Sequence, residues 1–348
     1  MRVLYFSHDY TPHDHRFLSA LAESEHEVFY LRLERRGRRL EDRPLPDRVT
    51  PIAWAGGESP AGLSALPALV TGLQQVIAGV QPDLVHAGPV QSAALLAAAV
   101  GFRPLVTMSW GSDLLVDADR SRWLSWATRF TLERTTVLLG DCDAVRRKAA
   151  GFGFPPERVR LFPWGVDLDH FSPAMENTAP GADPFVVLSL RSWEPIYGVD
   201  VLVRGFALAA QVEPRLQLRL YGGGSQAALL RQILAEHGVL DRVHFGGQVP
   251  YAELPGVYRA ADLYVSASHS DGSSVSLMEA LACGRPVLLS DIPTNLEWVT
   301  PGVEGWVFAD GDAPALAGCL LQAIAQRDRL AEMGQAARIL AERRADWR

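Results

Sequence analysis

ADLYVSASHSDGSSVSLMEALACGRPVLLSDIPTNLEWV, residues 261–299, decides how this chain is read. LYVSAS (263–268) is a short apolar run of β-branched and aromatic residues and predicts a buried strand. SHSDGSS (268–274) consists of turn formers and predicts a loop. In VSLMEALACG the apolar residues Val275, Leu277, Met278, Leu281 and Ala282 repeat with helical spacing. Gly284 and Pro286 stop that helix, and RPVLLSD (285–291) returns as a second strand. Strand, loop, helix and strand in succession are the repeating unit of a parallel α/β sheet.

The loop carries the chemistry. A small polar turn feeding a helix N-terminus presents free backbone N–H groups and the positive end of a helix dipole, which together suit a phosphate. Asp271 and Glu279 lie eight residues apart, one before the helix and one within it. Carboxylates there accept hydrogen bonds from hydroxyls, so two of them suggest a polyhydroxylated ligand. Taken by themselves, Asp271 as a turn residue and Ser274 as a helix cap explain the stretch equally well.

The same alternation runs through the rest of the chain. RVLYF (2–6) predicts a buried strand, SHDYTPHDH (7–15) a polar loop, RFLSALAES (16–24) a helix and HEVFYLRL (26–33) a strand. The opening loop lacks G-x-G-x-x-G, so a dinucleotide fingerprint is absent. Further strands are expected at PDLVHAG, PLVTM and TVLLGD, and VRLFPWGVD (159–167) closes this half. Residues 170–184 (HFSPAMENTAPGADP) show no periodicity and read as a linker. The pattern then restarts, with strands at FVVLSL, LQLRLY, VHFGG and GWVF and one long helix over 313–344. The expectation is two domains, 1–170 and 171–348, each near the usual domain size of roughly 150 residues.

Composition narrows the function. The 348 residues are 48% hydrophobic and 21% charged, an ordinary globular balance. A formal net charge of −7 argues against a general nucleic-acid binder. Three cysteines without C-x-x-C spacing predict neither a zinc site nor a disulfide framework. MRVLYFSHDY enters an apolar strand at once, so no signal peptide is expected and a cytoplasmic location is. Residues 32–43 are locally basic. Most such runs are solvated surface, but this one would suit peripheral contact with an anionic membrane, at ~1 kcal/mol per basic residue near the bilayer.

In the second half, chemistry-bearing residues follow predicted strands, where open α/β sheets bind ligands. Arg191 follows FVVLSL, Gly222, Gly223 and Gly224 follow LQLRLY, Gln248 and Val249 follow VHFGG, and Asp271 follows LYVSAS. One arginine with a helix N-terminus can hold a diphosphate without a metal.

D-G-S-S-V-S-L-M-E-A-L-A-C-G-R-P-V resembles the E-x7-E donor motif of family-four retaining glycosyltransferases, which have the GT-B fold. LFPWGVDLDHFSP is similar to that family's inter-domain stretch, and PDLVHAG and S-W-G-S-D are similar to its N-terminal motifs. The resemblance implies two Rossmann-like domains facing across a cleft. It implies a nucleotide-diphosphate sugar donor on the second domain and a glycan or lipid-linked acceptor on the first, with no cofactor and no metal. Glu279 would hold the nucleotide ribose and Asp271 the hexose. The amides of Gly272, Ser273, Ser274 and Val275 would face hexose and diphosphate, and Arg191 the phosphates. Gly222, Gly223, Gln248 and Val249 would border the base. His8 and Asp113, with Asp14, are the first-half groups to test at the acceptor.

The sequence departs from the family at three places. Asp271 stands where the family has glutamate. The segment 191–198, RSWEPIYG, lacks the family's usual lysine, for which Lys148 is one substitute. Trp110 and the SHDYTPHDH loop replace a histidine and a glycine-rich loop. The implied reaction moves a hexose to a hydroxyl with retention. A sugar-nucleotide epimerase or phosphorylase of the same fold, and a catalytically silent sugar-nucleotide binder, are the rival readings.

Overall fold

The computed structural model describes residues 1–33, 41–58, 63–174 and 184–348. Two compact units emerge, Met1–Phe162 and Pro163–Arg348. The division comes ahead of the expected boundary at 170/171, because the 163–171 segment packs onto the end of the chain. Val166 N–H donates to Ala345 O at 2.8 Å, and Arg338 donates to the carbonyls of Leu168 and Phe171.

The first unit contains β1 (Arg2–Ser7), α1 (Pro12–Glu23), β2 (Glu27–Arg32), β3 (Val49–Ile52), α2 (Leu66–Val80), β4 (Leu84–Gly88), α3 (Ala93–Val100), β5 (Leu105–Met108), α4 (Ala118–Arg120), α5 (Arg122–Arg134), β6 (Val137–Gly140), α6 (Asp143–Gly151) and β7 (Val159–Leu161). Its strands form one parallel sheet in the order β3-β2-β1-β4-β5-β6-β7. The second unit contains β8 (Phe185–Ser189), α7 (Val199–Val212), β9 (Leu216–Tyr221), α8 (Ala227–Glu236), β10 (Val243–Gly247), α9 (Leu254–Arg259), β11 (Leu263–Ser266), α10 (Val275–Ala282), β12 (Val287–Ser290), α11 (Pro293–Trp298), β13 (Gly305–Phe308), α12 (Ala313–Ala325) and α13 (Leu330–Arg344). Its six strands, also parallel, run β10-β9-β8-β11-β12-β13. In both sheets the order reverses direction beside the first strand, the doubly wound arrangement that opens a crevice at the strand carboxyl ends.

Burial explains the strands. Phe185, Val187, Leu218, Leu220, Leu263 and Val265 are all fully buried, as a sheet covered on both faces requires. Their helices present apolar faces to the same core, as Leu202, Phe206 and Leu316 do from α7 and α12.

Several elements differ from the sequence reading. The 7–15 loop is half helix, since α1 begins at Pro12. Thr11 caps it, its hydroxyl accepting from Asp14 N–H while the Asp14 carboxylate accepts from Thr11 N–H, a reciprocal capping box. The expected helix over 313–344 breaks at Arg327–Arg329 into α12 and α13. β3 and α11 were not expected: β3 carries Pro51 at a sheet edge, and α11 is six residues long. Residues 34–40, most of the basic run, and 175–183, most of the linker, lie outside the described residues. The flanking Arg32 and Arg43 form ion pairs with Asp9 and Glu41. Among the described residues no helix is long and apolar enough to cross a membrane.

Candidate active site

β8 and β11 are neighbours, so the loops leaving their carboxyl ends flank the crevice of the second sheet. Arg191 comes from the first loop and Asp271 from the second. Their side chains form an ion pair of 2.6 Å, only 10% and 18% exposed. The Arg191 guanidinium also donates to Ser274 Oγ at 2.7 Å and Ser276 Oγ at 3.2 Å. Its Cζ lies 4.2 Å from the centre of the Tyr197 ring. Ser274 in turn caps α10, its hydroxyl accepting from Leu277 N–H at 3.4 Å. One buried cation is thus fastened to the N-terminus of the helix that follows the anion turn.

Burial alone would lower the Arg191 pKa, but the Asp271 charge beside it leaves it raised, so the guanidinium is a permanent cation. Burial pushes the Asp271 carboxyl above the ordinary range, with Arg191 and the Gly272 amide working against that shift. Gly272 N–H reaches Asp271 Oδ1 at 3.0 Å.

Backbone close approach is built in at Gly198, the residue before α7. Its φ is +57°, and a Cβ there would stand 2.0 Å from the Ala267 carbonyl oxygen. Only glycine lets the helix start pass beneath the loop that carries Asp271. Gly222 sits at φ +117° after β9, and its N–H donates to Gly247 O at 2.6 Å. Trp193 N–H and the Ser192 hydroxyl both donate to Gly223 O, which joins the Arg191 loop to the glycine loop. Gln248 is exposed beyond β10, and Val249 is half-buried.

Glu279 is 6% exposed on the inner face of α10. The Tyr258 hydroxyl donates to Glu279 Oε2 at 2.9 Å. Burial, and then the Glu279 charge, hold the Tyr258 pKa well above its ordinary value, so this hydroxyl remains a donor. Val275 opens α10. The Ser273 hydroxyl accepts from the Trp298 indole N–H at 3.1 Å, which anchors the turn to α11.

The structure therefore brings Arg191, Asp271, Ser274 and the start of α10 together, with Gly222 and Gly223 joined through the Arg191 loop. Sequence reasoning missed Tyr197, Gly198, Tyr258, Tyr264 and Ser276. Tyr264 bonds the Ser276 hydroxyl at 2.7 Å, which completes a hydroxyl chain to Arg191. Ser276 could have been found, because it lies one residue into a helix whose cap was already identified. The tyrosines come from other elements and carry no local signal.

In the first unit the expected acceptor groups have different settings. Asp113 opens a single wide helical turn, Asp113–Asp117. Its Oδ1 accepts from Ser109 Oγ, Trp110 N–H and Leu114 N–H, and its Oδ2 from Val90 N–H, all at 2.8–2.9 Å. Four protein donors make Asp113 the clasp between the loops after β4 and β5. His8 follows β1 and is half-buried. Asp14 is fully buried, and burial pushes its pKa up to about 6 against hydrogen bonds from Thr11, Ser7 and Tyr5. Burial, with the Arg16 charge, lowers His13 to about 3, and burial lowers His86 to about 4. The His13 ring lies 4.8 Å from that of Trp110. Lys148 pairs with Asp119 of α4 within this unit, which occupies the residue named as a substitute phosphate partner. Among the described residues no group of three His, Cys, Asp or Glu is arranged to hold a metal.

Comparison with known proteins agrees with this architecture. Residues 13–170 match the family described as Glycosyltransferase Family 4, and residues 173–340 match Glycosyl transferases group 1. A D-inositol 3-phosphate glycosyltransferase of Thermobispora bispora is 34% identical over 198 residues, 53% of this chain and 46% of that protein. A GDP-mannose-dependent α-(1-6)-phosphatidylinositol monomannoside mannosyltransferase of Mycolicibacterium smegmatis is 29% identical over 215 residues, 58% of this chain and 56% of that one. The matched stretch thus spans about half the length of these curated relatives. Among solved structures, sucrose-phosphate synthase from Thermosynechococcus elongatus superposes with a TM-score of 0.81 at 20% identity, covering 100% of this chain and 96% of that one. Anabaena HepE in complex with UDP and glucose gives the same values. At that identity the likeness speaks for the fold. The chain belongs to glycosyltransferase family four and has the GT-B fold.

Proposed function

We propose that this chain transfers a hexose from a nucleotide-diphosphate sugar to a hydroxyl of a glycan or glycolipid, with retention at the anomeric carbon. The observation that carries the reading is the Arg191 guanidinium, buried at the sheet's switch point and bonded to the cap of α10. A cation and a helix N-terminus converge where a leaving diphosphate gains charge, so they favour the transition state over the ground state. In this reading the diphosphate takes Arg191 over from Asp271, and the freed carboxylate meets a hexose hydroxyl. Glu279, steadied by Tyr258, accepts from the ribose. Gly222, Gly223, Gln248 and Val249 border the base, and the amides from Gly272 to Val275 face the hexose and diphosphate.

Asp271 and Glu279 both have ligand-holding roles here, which leaves no carboxylate poised as a nucleophile. The step is therefore a front-face exchange. The bond from the anomeric carbon to phosphate oxygen breaks, the bond to the acceptor oxygen forms on the same face, and the leaving phosphate takes the acceptor proton. His8 is the first-unit group assigned to the acceptor side. Asp113 keeps the loops there in place. Phosphate holding is metal-free in this scheme.

The test is a thermal-shift and transfer assay over a donor panel. UDP-glucose and GDP-mannose come first, because one is bound in an Anabaena HepE structure and the other is named for a mycolicibacterial relative. A saturating donor at about 100 times its Kd stabilises by about 2.7 kcal/mol. Donor stabilisation with retained transfer in EDTA supports the proposal. Stabilisation without transfer to any acceptor favours a silent sugar-nucleotide binder. Absence of stabilisation by every nucleotide sugar rejects the donor site.

A further inference from the structure

The helix α5, sequence RWLSWATRFTLER, carries an aromatic ridge that the transfer reaction does not use. Trp123 and Trp126 are 39% and 49% exposed. Their rings stack at 4.8 Å and 28°, and Trp126 stacks in turn on Phe130 at 5.1 Å and 28°. The Arg134 guanidinium covers Phe130, its Cζ 3.7 Å from the ring centre. At 100° per residue, Trp123, Trp126 and Phe130 fall on one strip, with Arg122 and Arg129 along one margin and Arg134 along the other. Arg120, Arg122 and Arg129 are exposed. Residues 120–132 contain three arginines and no acid, in a chain of net charge −7. The nearby acids are engaged: Asp117 with Arg120 at 3.6 Å, Glu133 with Arg134 at 3.5 Å, and Asp119 with Lys148. The opposite face, Ala127, Thr128, Thr131 and Leu132, is buried in the unit and fixes which side points out.

We propose that this ridge docks on an anionic phospholipid bilayer, with the indoles at the headgroup level and the flanking arginines on lipid phosphates. An exposed amphipathic strip with Trp and Phe at its centre and Arg on its margins has the composition of an interfacial helix. A pyranose is the other guest that exposed tryptophans suit, and it needs an open ring face. Trp126, the more exposed of the two indoles, is stacked with both Trp123 and Phe130, which leaves it poorly placed to serve as an open platform. This helix is a different stretch of sequence from the basic run at 32–43.

The experiment sediments the full chain with vesicles of about one-third phosphatidylglycerol in phosphatidylcholine, and with vesicles of phosphatidylcholine alone. The expected result is binding to the anionic vesicles that weakens with salt and is lost on the neutral ones. Trp123→Ala with Trp126→Ala, and separately Arg122→Glu with Arg129→Glu, each lower the binding by roughly tenfold or more. Unchanged thermal melting and donor stabilisation show that the variants are folded. Brominated lipid should quench wild-type tryptophan fluorescence, which tests contact without any substitution. Wild type left in the supernatant, full binding by the double tryptophan variant, or no quenching each overturn the proposal. So does light scattering that shows a dimer lost in that variant with no vesicle binding, because a second copy then covers the ridge.

Discussion

The Arg191 guanidinium sits over the Tyr197 ring, 4.2 Å from Cζ to ring centre. Tyr197 thus occupies space in a segment, 191–198, that offers no second cation, and what it supplies is orientation. A cation on an aromatic face is worth about 0.5–2 kcal/mol depending on burial. Tyr197→Ala is expected to lower kcat/KM for donor by roughly 3- to 30-fold, with the pH profile unchanged. Tyr197→Phe keeps the face and should stay within about twofold of wild type. Equal losses in both variants would show that the hydroxyl matters and the ring does not. Steady-state kinetics at saturating acceptor separate the two.

Removing Arg191 has a different signature. Arg191→Ala leaves Asp271 buried without its cation, so the carboxyl, already pushed up by burial, rises further. Turnover should fall by at least about a hundredfold, the scale of losing one donor to a developing oxyanion. Nucleoside monophosphate affinity should change far less. A comparable drop in both would remove Arg191 from the leaving-group role.

Tyr258→Phe tests the second carboxylate. It deletes the donor to Glu279 Oε2, and a buried group that loses its partner costs about 1–3 kcal/mol. We expect a lower Tm without ligand and a donor Kd raised several-fold. Glu279→Ala should abolish donor-induced stabilisation outright. A donor shift that survives in Glu279→Ala would refute the ribose assignment.

Gly198→Ala should be among the most disruptive single-methyl changes in the second unit. The new Cβ would meet the Ala267 carbonyl at 2.0 Å, at a positive φ. Backbone strain of this kind costs about 1–3 kcal/mol, and relief requires the Asp271 loop to move. Gly223→Ala is the matched control, since a Cβ there has nothing within 4 Å. Urea midpoints and donor affinity should fall together in the first variant. The second should keep its stability.

The first unit should respond to acid through His86. Its pKa is lowered by burial to about 4, so in mild acid the unfolded chain takes up a proton that the folded unit refuses. The stability this provides is complete above pH 6.5 and is lost as pH falls toward 4, about 2 kcal/mol of it by pH 5. Asp14 acts in the opposite sense. Its folded pKa, about 6, lies above the unfolded value, so its contribution is complete below about pH 4 and is lost as pH rises through 6. His86→Phe keeps a ring between Tyr5 and Phe17. It should narrow the gap in unfolding free energy between pH 7.5 and pH 5 by about 2 kcal/mol. An unchanged gap would assign the acid response to another group.

What the sequence disclosed follows from range. The 261–299 stretch could be read because its strand, turn and helix are set by neighbouring residues: the period of Leu277, Met278 and Leu281, the turn chemistry of 268–274, and Gly284 as the stop. Arg191 and the glycine loops were legible because strand carboxyl ends are ligand positions in any open α/β sheet. Tyr197, Tyr258 and Tyr264 were not, because what they do depends on what the fold places opposite them. Asp113 shows the reverse case. Its position suits a turn cap and a functional acid alike; Ser109, Trp110 and Leu114 bind it from its own turn, and the fourth donor, Val90, comes from the loop after β4, which only the folded unit brings near. The helix start at Pro12 was within reach, since Thr11 and Asp14 have capping-box spacing, but the cluster of histidines there read as loop.

The adjacency of β8 and β11 carries one more implication. Asp262 accepts from the backbone of Val186, 76 positions away, and that distant pairing creates the crevice between Arg191 and Asp271. Neighbours so remote in the chain meet slowly, because closing long loops precedes the contacts that reward it. A refolding chain should therefore regain helical signal well before it can capture a nucleotide. Ligand capture would then serve as a clock for the last step of assembly.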